Sequence, residues 1–190
     1  MIILNIPIGF SGSGKTTYYL SNYDQDSSIY ISKDSLRREI CGNVNDQSQN
    51  KRIAILASKQ LTKAIENCVA KESLEGDQDI NIYYDNINLG ILSTIKKYLN
   101  DYPTLMIKVL LFADSLNPRL RSKRVNQDIK SGADRANTGD IIRENAQNEI
   151  REYKRNKYSI IAYRRSLCGS EMAQRLSIFE IRGGQAYALN

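Results

Sequence analysis

Apolar and polar positions alternate in blocks that predict strands and helices by turns. Residues 1–8 (MIILNIPI) are almost uninterruptedly apolar, as in a strand buried on both faces. Residues 16–22 follow as a short helix, and 28–31 (SIYI) have strand character. Residues 34–41 form a short helix stopped at Gly42, and 43–49 are a polar connector. From residue 50 to 71, Ala57, Leu61, Ala64 and Cys68 recur at helical spacing, so one stripe faces a core. Residues 80–84 read as a strand ending in Asp85, and 90–100 as a helix broken by Pro103. Residues 104–112 (TLMIKVLLF) read as a buried strand.

Beyond residue 116 the texture becomes polar and basic. A helix starts near Pro118 and runs to Lys130, 131–139 read as a loop, and 140–155 as a second polar helix. Residues 158–163 are expected as a strand, followed by a short helix near 171–176 and a strand at 178–182. Residues 183–190 read as a loose tail. Strand–helix alternation of this kind implies an α/β fold: a parallel sheet, helices on both faces, right-handed crossovers. With 190 residues, no linker composition and no internal repeat, a single domain is expected over residues 1–190.

The chemistry enters at Gly9-Phe10-Ser11-Gly12-Ser13-Gly14-Lys15-Thr16, which fits G-x-x-x-x-G-K-[ST] between a strand and a helix. A helix N-terminus presents unpaired N–H groups at the positive end of its dipole. Gly9, Gly12 and Gly14 let such a loop curl around an anion. Lys15 is then the residue that reaches the β/γ-phosphates, and the Thr16 hydroxyl the one that ligates Mg²⁺. Ser11, Ser13 and Thr17 complete the expected donor-nucleotide set.

Composition narrows the rest. Apolar content of 41% and charged content of 25% are ordinary for a globular protein. No apolar run is long enough to cross a membrane, and residues 1–8 lack the basic flank of a signal peptide. Cys41, Cys68 and Cys168 are widely spaced and odd in number, which fits free thiols in the cytoplasm. Histidine is absent, so acid–base work falls to a carboxylate, lysine or tyrosine. The net charge is +6 and unevenly placed: up to Ser115, 12 Lys and Arg face 13 Asp and Glu, but from Leu116 onward 15 face 8. A basic half of this kind suits either a polyanionic partner or a solvated face.

Asp34 and Arg37 lie just past the second strand, three apart. Strand carboxyl ends line the ligand crevice of a parallel sheet, so Asp34 should share a rim with Lys15. Asp34 is either the proton acceptor from an attacking hydroxyl or a helix cap. Arg37 is either a phosphate fork or a surface charge. Asp85, ahead of Asn86-Ile87-Asn88, is either a Mg²⁺-water ligand or partner of Arg37, or a turn residue. Arg119, Arg121, Lys123 and Arg124, with Lys130, Arg135 and Arg143 beyond, suit a lid over transferring phosphate or a solvated helix. The pairs Tyr18-Tyr19 and Tyr83-Tyr84 can stack bases, though packing is the simpler use.

Taken together, these residues resemble the P-loop polynucleotide 5′-kinases of nucleic-acid repair, over about residues 2–145. GFSGSGKTT looks like their phosphate loop, and Asp34-Ser35-Leu36-Arg37 like their D-x-x-R of general base and acceptor-phosphate contact. The stretch from Arg38 to Gln47 is similar to bacterial members that carry a Gln near the acceptor, and Asp85–Asn88 looks like D-x-T-N with Ile87 for Thr. Asp134-Arg135 and Ile141-Ile142-Arg143 resemble the stretch after the family's lid arginine. The usual R-N-x-x-R is one residue shorter at Arg121–Arg124, and Asn137-Thr138 replaces Val-Pro.

The resemblance implies an ATP- and Mg²⁺-dependent kinase of 5′-OH ends of RNA or DNA. Arg124 would stabilise the transition state, with Arg121 and Arg135 on the donor, in a lid spanning about residues 117–139. Gln47, Asp85 and Asn88 would join Asp34 and Arg37 at the acceptor. A kinase of a nucleoside, sugar or antibiotic and a nucleotide-gated binding module are the rivals, and homo-oligomerisation is left open.

Overall fold

The computed structural model describes residues 1–189 except 25, 76–78, 134 and 136; the side chains of 72–75 also lie outside the description. Asp134, part of the family resemblance, therefore falls outside the described residues. The chain runs β1 (Ile2–Ile8), α1 (Lys15–Asn22), β2 (Ile29–Ser32), α2 (Lys33–Cys41), α3 (Asn50–Glu75), β3 (Ile80–Asp85), α4 (Leu92–Asp101) and β4 (Leu105–Phe112). A short 3₁₀ turn, Ala113–Leu116, leads into α5 (Pro118–Lys130), α6 (Gly139–Glu144), α7 (Ala146–Ser166), α8 (Glu171–Arg175), β5 (Leu176–Arg182) and β6 (Gln185–Ala188).

The six strands form one sheet in the order β2-β3-β1-β4-β5-β6, parallel except for β6. All seven β1 residues are buried at its centre, which is why the strand reads as a continuous apolar run. Alternate side chains sort to two cores. Ile82, Ile107, Val109 and Ile178 face α3, α4 and α7, packing with Ile53, Leu61, Ile95, Tyr153 and Ile160. Tyr83, Leu110, Phe112 and Ile181 face the other way, against Tyr18, Tyr19 and Tyr23 around α1. The tyrosine pairs Tyr18-Tyr19 and Tyr83-Tyr84 are thus packing residues; the rings of Tyr19 and Tyr83 lie 5.0 Å apart.

Three elements differ from the sequence expectation, all beyond residue 140. Residues 158–163 are helical, inside α7, where a strand was expected. Their Tyr and Ile content favours a strand, but Tyr153, Asn156 and Ile160 fall on one helical stripe whose burial decides the matter. The polar helix expected over 140–155 is split at Asn145, whose backbone N–H (3.1 Å) and side-chain amide (3.0 Å) both donate to the Ile141 carbonyl. The expected loose tail instead turns at Gly183 (φ 55°) and Gly184 (φ 82°) and adds β6 antiparallel to β5. Two consecutive positive-φ residues make a tight hairpin turn, and Gly-Gly was its only signal, because β6 is exposed throughout and carries no alternation.

Candidate active site

The phosphate loop leaves β1 and enters α1 through Gly12 (φ 75°) and Gly14 (φ 95°), conformations that side-chain-bearing residues rarely adopt. A Cβ on Gly12 would also lie 2.7 Å from the Arg121 carbonyl, so the loop and α5 pack backbone to backbone. Ser115 Oγ accepts from the Phe10 N–H at 3.2 Å and ties the loop to the end of β4. Ser13 Oγ is buried without a hydrogen-bond partner and lies where a Cβ on Gly9 would fall, and Ser13 lines the hollow beside the loop, not the cavity over it. Lys15 Nζ donates to the carbonyls of Gly9 (2.9 Å) and Phe10 (3.4 Å). Burial lowers its pKa below the ordinary lysine value, a shift partly offset by the Asp85 and Asp34 carboxylates.

Across from Lys15 stands the wall made by β2, α2 and the end of β3. The register pairs Ser32 with Asp85, so both strands end on the rim that carries the phosphate loop. Ser32 is the cap of α2: its hydroxyl accepts from the N–H groups of Asp34 (3.2 Å) and Ser35 (3.4 Å). Capping is therefore not the work of Asp34, whose side chain is 65% exposed and paired with Arg37 at 2.6 Å. Arg37 is itself buried and also donates to Asn50 Oδ1 at 2.8 Å, while Asn50 bonds Gln47. Asp85 Oδ2 accepts from Thr16 Oγ1 at 3.0 Å and from the Tyr30 hydroxyl at 2.6 Å. Burial and then the Asp85 charge push the Tyr30 pKa up, so Tyr30 stays a donor across the working pH range.

These groups line two adjoining cavities. One of about 290 Å³ is bounded by the loop, Thr16, Thr17, Asp34, Asp85, Arg124, Asp128 and Arg135. The other, about 340 Å³, is bounded by Ser11, Lys15, Ser32, Lys33, Asp34, Arg37, Gln47, Asp85 to Ile87 and Asn137. Ser11, Lys15, Asp34 and Asp85 belong to both, so a phosphoryl group passing between the cavities would pass those four. A third hollow of about 350 Å³ opens beside the loop between Tyr18, Phe112, Arg124 and the Gly183-Gly184 turn. The largest hollows, about 650 and 660 Å³, are open troughs along α3 that no motif residue lines.

Two expected site residues are not brought into the cleft. Arg121 is fully buried: Nε donates to the Ser11 carbonyl (2.9 Å), one terminal nitrogen to the Ser115 carbonyl (3.3 Å), the other to Glu149 (2.6 Å). Its guanidinium also lies over the Phe10 ring, so it braces the phosphate loop from behind, with all three nitrogens bonded within the protein. Asn88 is buried with φ 56°, its side-chain amide donating to the carbonyls of Pro7 (2.7 Å) and Tyr84 (2.9 Å). The register of β3 on β1 runs only to Asn5–Tyr83, and Asn88 takes over where it ends. Arg124 does reach the cleft, donating to Asp114 (2.7 Å) and the Gly12 carbonyl (3.2 Å). Arg135 reaches it as well, paired with Asp128. The spacing of the two arginines in sequence gave no way to tell the brace from the cleft residue.

Sequence reasoning missed Tyr30, Ser32 and Asn50, and for Asn137 saw only a departure from the family pattern. Tyr30 and Ser32 carry a signal, their place at the carboxyl end of a strand. Asn137, whose amide donates to Ser11 Oγ at 3.1 Å, carries none short of the tertiary fold.

The residues fit Mg²⁺. Thr16 and Asp85 offer hard oxygen donors side by side on the phosphate cavity, and Mg²⁺ commonly takes one or two protein oxygens plus substrate phosphates and water. Among the described residues no cluster of three or more His, Cys, Asp or Glu side chains forms an all-protein metal cage, and no helix is long and apolar enough to cross a membrane.

No protein-family model matches the sequence, and no curated protein matches it either. Among solved structures, the Pnkp1/Rnl/Hen1 RNA repair complex contains a chain similar in fold, with a TM-score of 0.53 at 18% sequence identity. The overlay covers 80% of this protein and 45% of that chain, so the protein spans less than half of it. A gluconokinase from Sinorhizobium meliloti 1021 overlays more loosely, with a TM-score of 0.38, 12% identity and coverage of 94% and 81%. The mostly parallel sheet, its flanking helices and the loop between β1 and α1 give the protein an α/β P-loop kinase fold.

Proposed function

We propose that the protein is an ATP- and Mg²⁺-dependent kinase of polynucleotide 5′-hydroxyl ends. The observation that carries the reading is the Asp34–Arg37 pair, held 2.6 Å apart on the wall facing Lys15. A phosphate loop alone accounts for nucleotide binding; a carboxylate and a buried arginine set opposite it supply what an acceptor needs. The loop amides and Lys15 hold the donor phosphates, and Thr16 with Asp85 holds Mg²⁺. That ion neutralises charge on the β- and γ-phosphates when bound.

Asp34 orients the acceptor hydroxyl and takes its proton as the oxygen bonds to the γ-phosphorus. The bond from that phosphorus to the bridging oxygen breaks, and ADP leaves. Arg37, fixed by Asn50 and Gln47, grips a phosphate of the acceptor strand. Arg124 and Arg135 answer the charge that develops on the transferred group. The similarity in fold to a chain of an RNA repair complex supports a polyanionic polymer as acceptor. Three free cysteines suit the cytoplasm, and neither a membrane nor a resident partner is required.

The deciding experiment offers γ-labelled ATP with 5′-OH oligonucleotides, nucleoside 3′-monophosphates, unphosphorylated nucleosides and sugars. Transfer to the first two, far better than to the unphosphorylated acceptors, is expected. Equal kcat/KM for nucleoside and oligonucleotide would leave a small-molecule kinase standing. ATP hydrolysis with no acceptor would leave a nucleotide-gated module.

A further inference from the structure

The outward face of α7 is a basic track that no part of the proposed chemistry uses. Its inner face is spent on structure: Tyr153, Asn156 and Ile160 are buried, Lys157 pairs with Glu180, and Arg164 donates to the Leu176 carbonyl. The opposite side carries Arg151, Lys154, Arg155, Tyr158 and Arg165, all exposed and spaced i, i+3, i+4, i+7 and i+14. Tyr158 is 68% exposed, an aromatic ring standing in water among four cations. Arg151, Lys154 and Arg165 make no ion pair among the described residues, and Arg155 meets Glu152 only at 3.8 Å. Like charges at i, i+3 and i+4 weaken a helix, so folding alone gives no reason to gather them there.

The inner face of the same helix is tied to the loops that build the cleft. Asn156 Oδ1 accepts from the Gly90 N–H at 2.7 Å, and Gly90 belongs to the loop whose Asn86 and Ile87 line the acceptor cavity. At the N-terminal end of α7, Glu149 holds Arg121, which holds Ser11 of the phosphate loop. From Arg151 to Arg165 the face extends about 21 Å, at the helical rise of about 1.5 Å per residue.

We propose that this face of α7 is a docking track for the body of a single-stranded nucleic acid whose 5′ end sits in the cleft. The proposal rests on the polynucleotide reading of the site. Cations at successive helical turns take backbone phosphates, and Tyr158 offers a stacking platform for a base, a combination that is sequence-tolerant and salt-dependent. An acidic protein partner would match the charges and leave the exposed ring without a use.

The test compares wild-type protein with a triple variant, Arg151→Ser, Lys154→Ser and Arg155→Ser, and with Tyr158→Ala. Anisotropy of a labelled single strand of about 20 nucleotides, without ATP, reads docking alone; the triple variant should bind about 10-fold or more weakly, with the slope of log Kd against log salt reduced by about 2. Tyr158→Ala should weaken binding about 5- to 150-fold, the usual worth of one stacked base. In transfer assays the KM of the long acceptor should rise with kcat unchanged, while a nucleoside 3′-monophosphate is phosphorylated as by wild type. Equal losses on long and short acceptors, or unchanged binding of the long strand, would overturn the proposal. So would equally tight binding of anionic lipid vesicles that the same variants abolish. If the strand binds through α7 while no 5′-OH is ever phosphorylated, the track stands and the kinase reading fails.

Discussion

The donor half of the cleft is built around eight consecutive residues, Gly9 to Thr16, that run from the end of β1 into the first turn of α1. The acceptor half gathers Ser32, Asp34 and Arg37 from the β2–α2 junction, Gln47 and Asn50 from the next connector and the start of α3, Asp85 from β3 and Asn137 from far along the chain. In the first, the backbone does most of the binding, so glycines and a helix N-terminus carry the chemistry within one short motif. In the second, side chains from four places converge, and each is oriented by another side chain. The donor half should therefore fail when one cation is lost, whereas the acceptor half should fail by degrees.

The largest effect is expected at Lys15. Lys15→Met should abolish measurable transfer, because a charge aimed at the β/γ-phosphates from a desolvated position is worth several kcal/mol in the transition state. Its folding stability should be unchanged or higher, since a partly buried ammonium is removed. The lowered pKa adds a pH signature. Phosphate binding favours the charged form, so ATP affinity measured without metal should be flat at neutral pH. It should then fall as pH rises through the lowered value, before the 10.5 of an ordinary lysine. Affinity that holds to pH 10.5 would show that Lys15 is not desolvated in the free protein.

Arg121 and Arg124 separate brace from cleft within three residues. Arg121→Ala strands Glu149 and removes the tie to Ser11, so it should cost about 3–5 kcal/mol of stability, seen in denaturant titration. Arg124→Ala should leave the melting transition in place and slow kcat by about 10³, as loss of a transition-state arginine does. If Arg124→Ala is mild, Arg135 takes its place as the transition-state cation. An Arg121→Ala protein of wild-type stability would remove the brace assignment.

On the acceptor side, Asp34→Asn should keep ATP affinity and lower kcat by at least about 100-fold, the usual scale for a lost general base. Arg37→Ala should be smaller and should fall on the acceptor: the preference for a phosphorylated over an unphosphorylated acceptor shrinks by about 10- to 150-fold. Near-normal turnover of Asp34→Asn on a good oligonucleotide would end the general-base assignment.

The same contrast explains what the sequence could tell. The phosphate loop, the Asp34–Arg37 pair and the order of β1 to α5 are local: motif spacing and periodicity carry them. Arg121 and Arg124 look interchangeable in sequence, and only the packing of α5 against Gly12 tells the buried one from the cleft one. Asn88 reads as a motif residue and is instead the strap closing the end of β1, because its partners, Pro7 and Tyr84, come from two strands. The mistaken strand at 158–163 and the missed β6 share a cause as well. In each, local composition pointed one way and the neighbour in space decided.

The smallest effect concerns Tyr30, where the two halves meet. Its hydroxyl donates to the Asp85 oxygen that also accepts from Thr16, so it fixes the carboxylate from the β2 side and the Thr16 hydroxyl through it. Tyr30→Phe keeps the ring packed on Tyr19 and removes only that hydrogen bond. One hydrogen bond to a charged group is worth about 1.5–3 kcal/mol when fully buried, and Tyr30 is only partly so. The Mg²⁺ concentration for half-maximal ATP binding should rise about 5- to 10-fold, with metal-free ATP affinity unchanged. The tyrosine pKa is raised in the fold above its ordinary 10.0, so the stability it contributes is fully present below pH 10 and is lost as pH rises past it. Other buried tyrosines such as Tyr23, Tyr83 and Tyr153 are raised as well, so alkaline titration of stability should show a loss beginning near pH 10 in both proteins, smaller in Tyr30→Phe than in wild type. A variant that binds Mg²⁺ as well as wild type would reduce Tyr30 to a packing residue and leave Asp85 held by Thr16 alone.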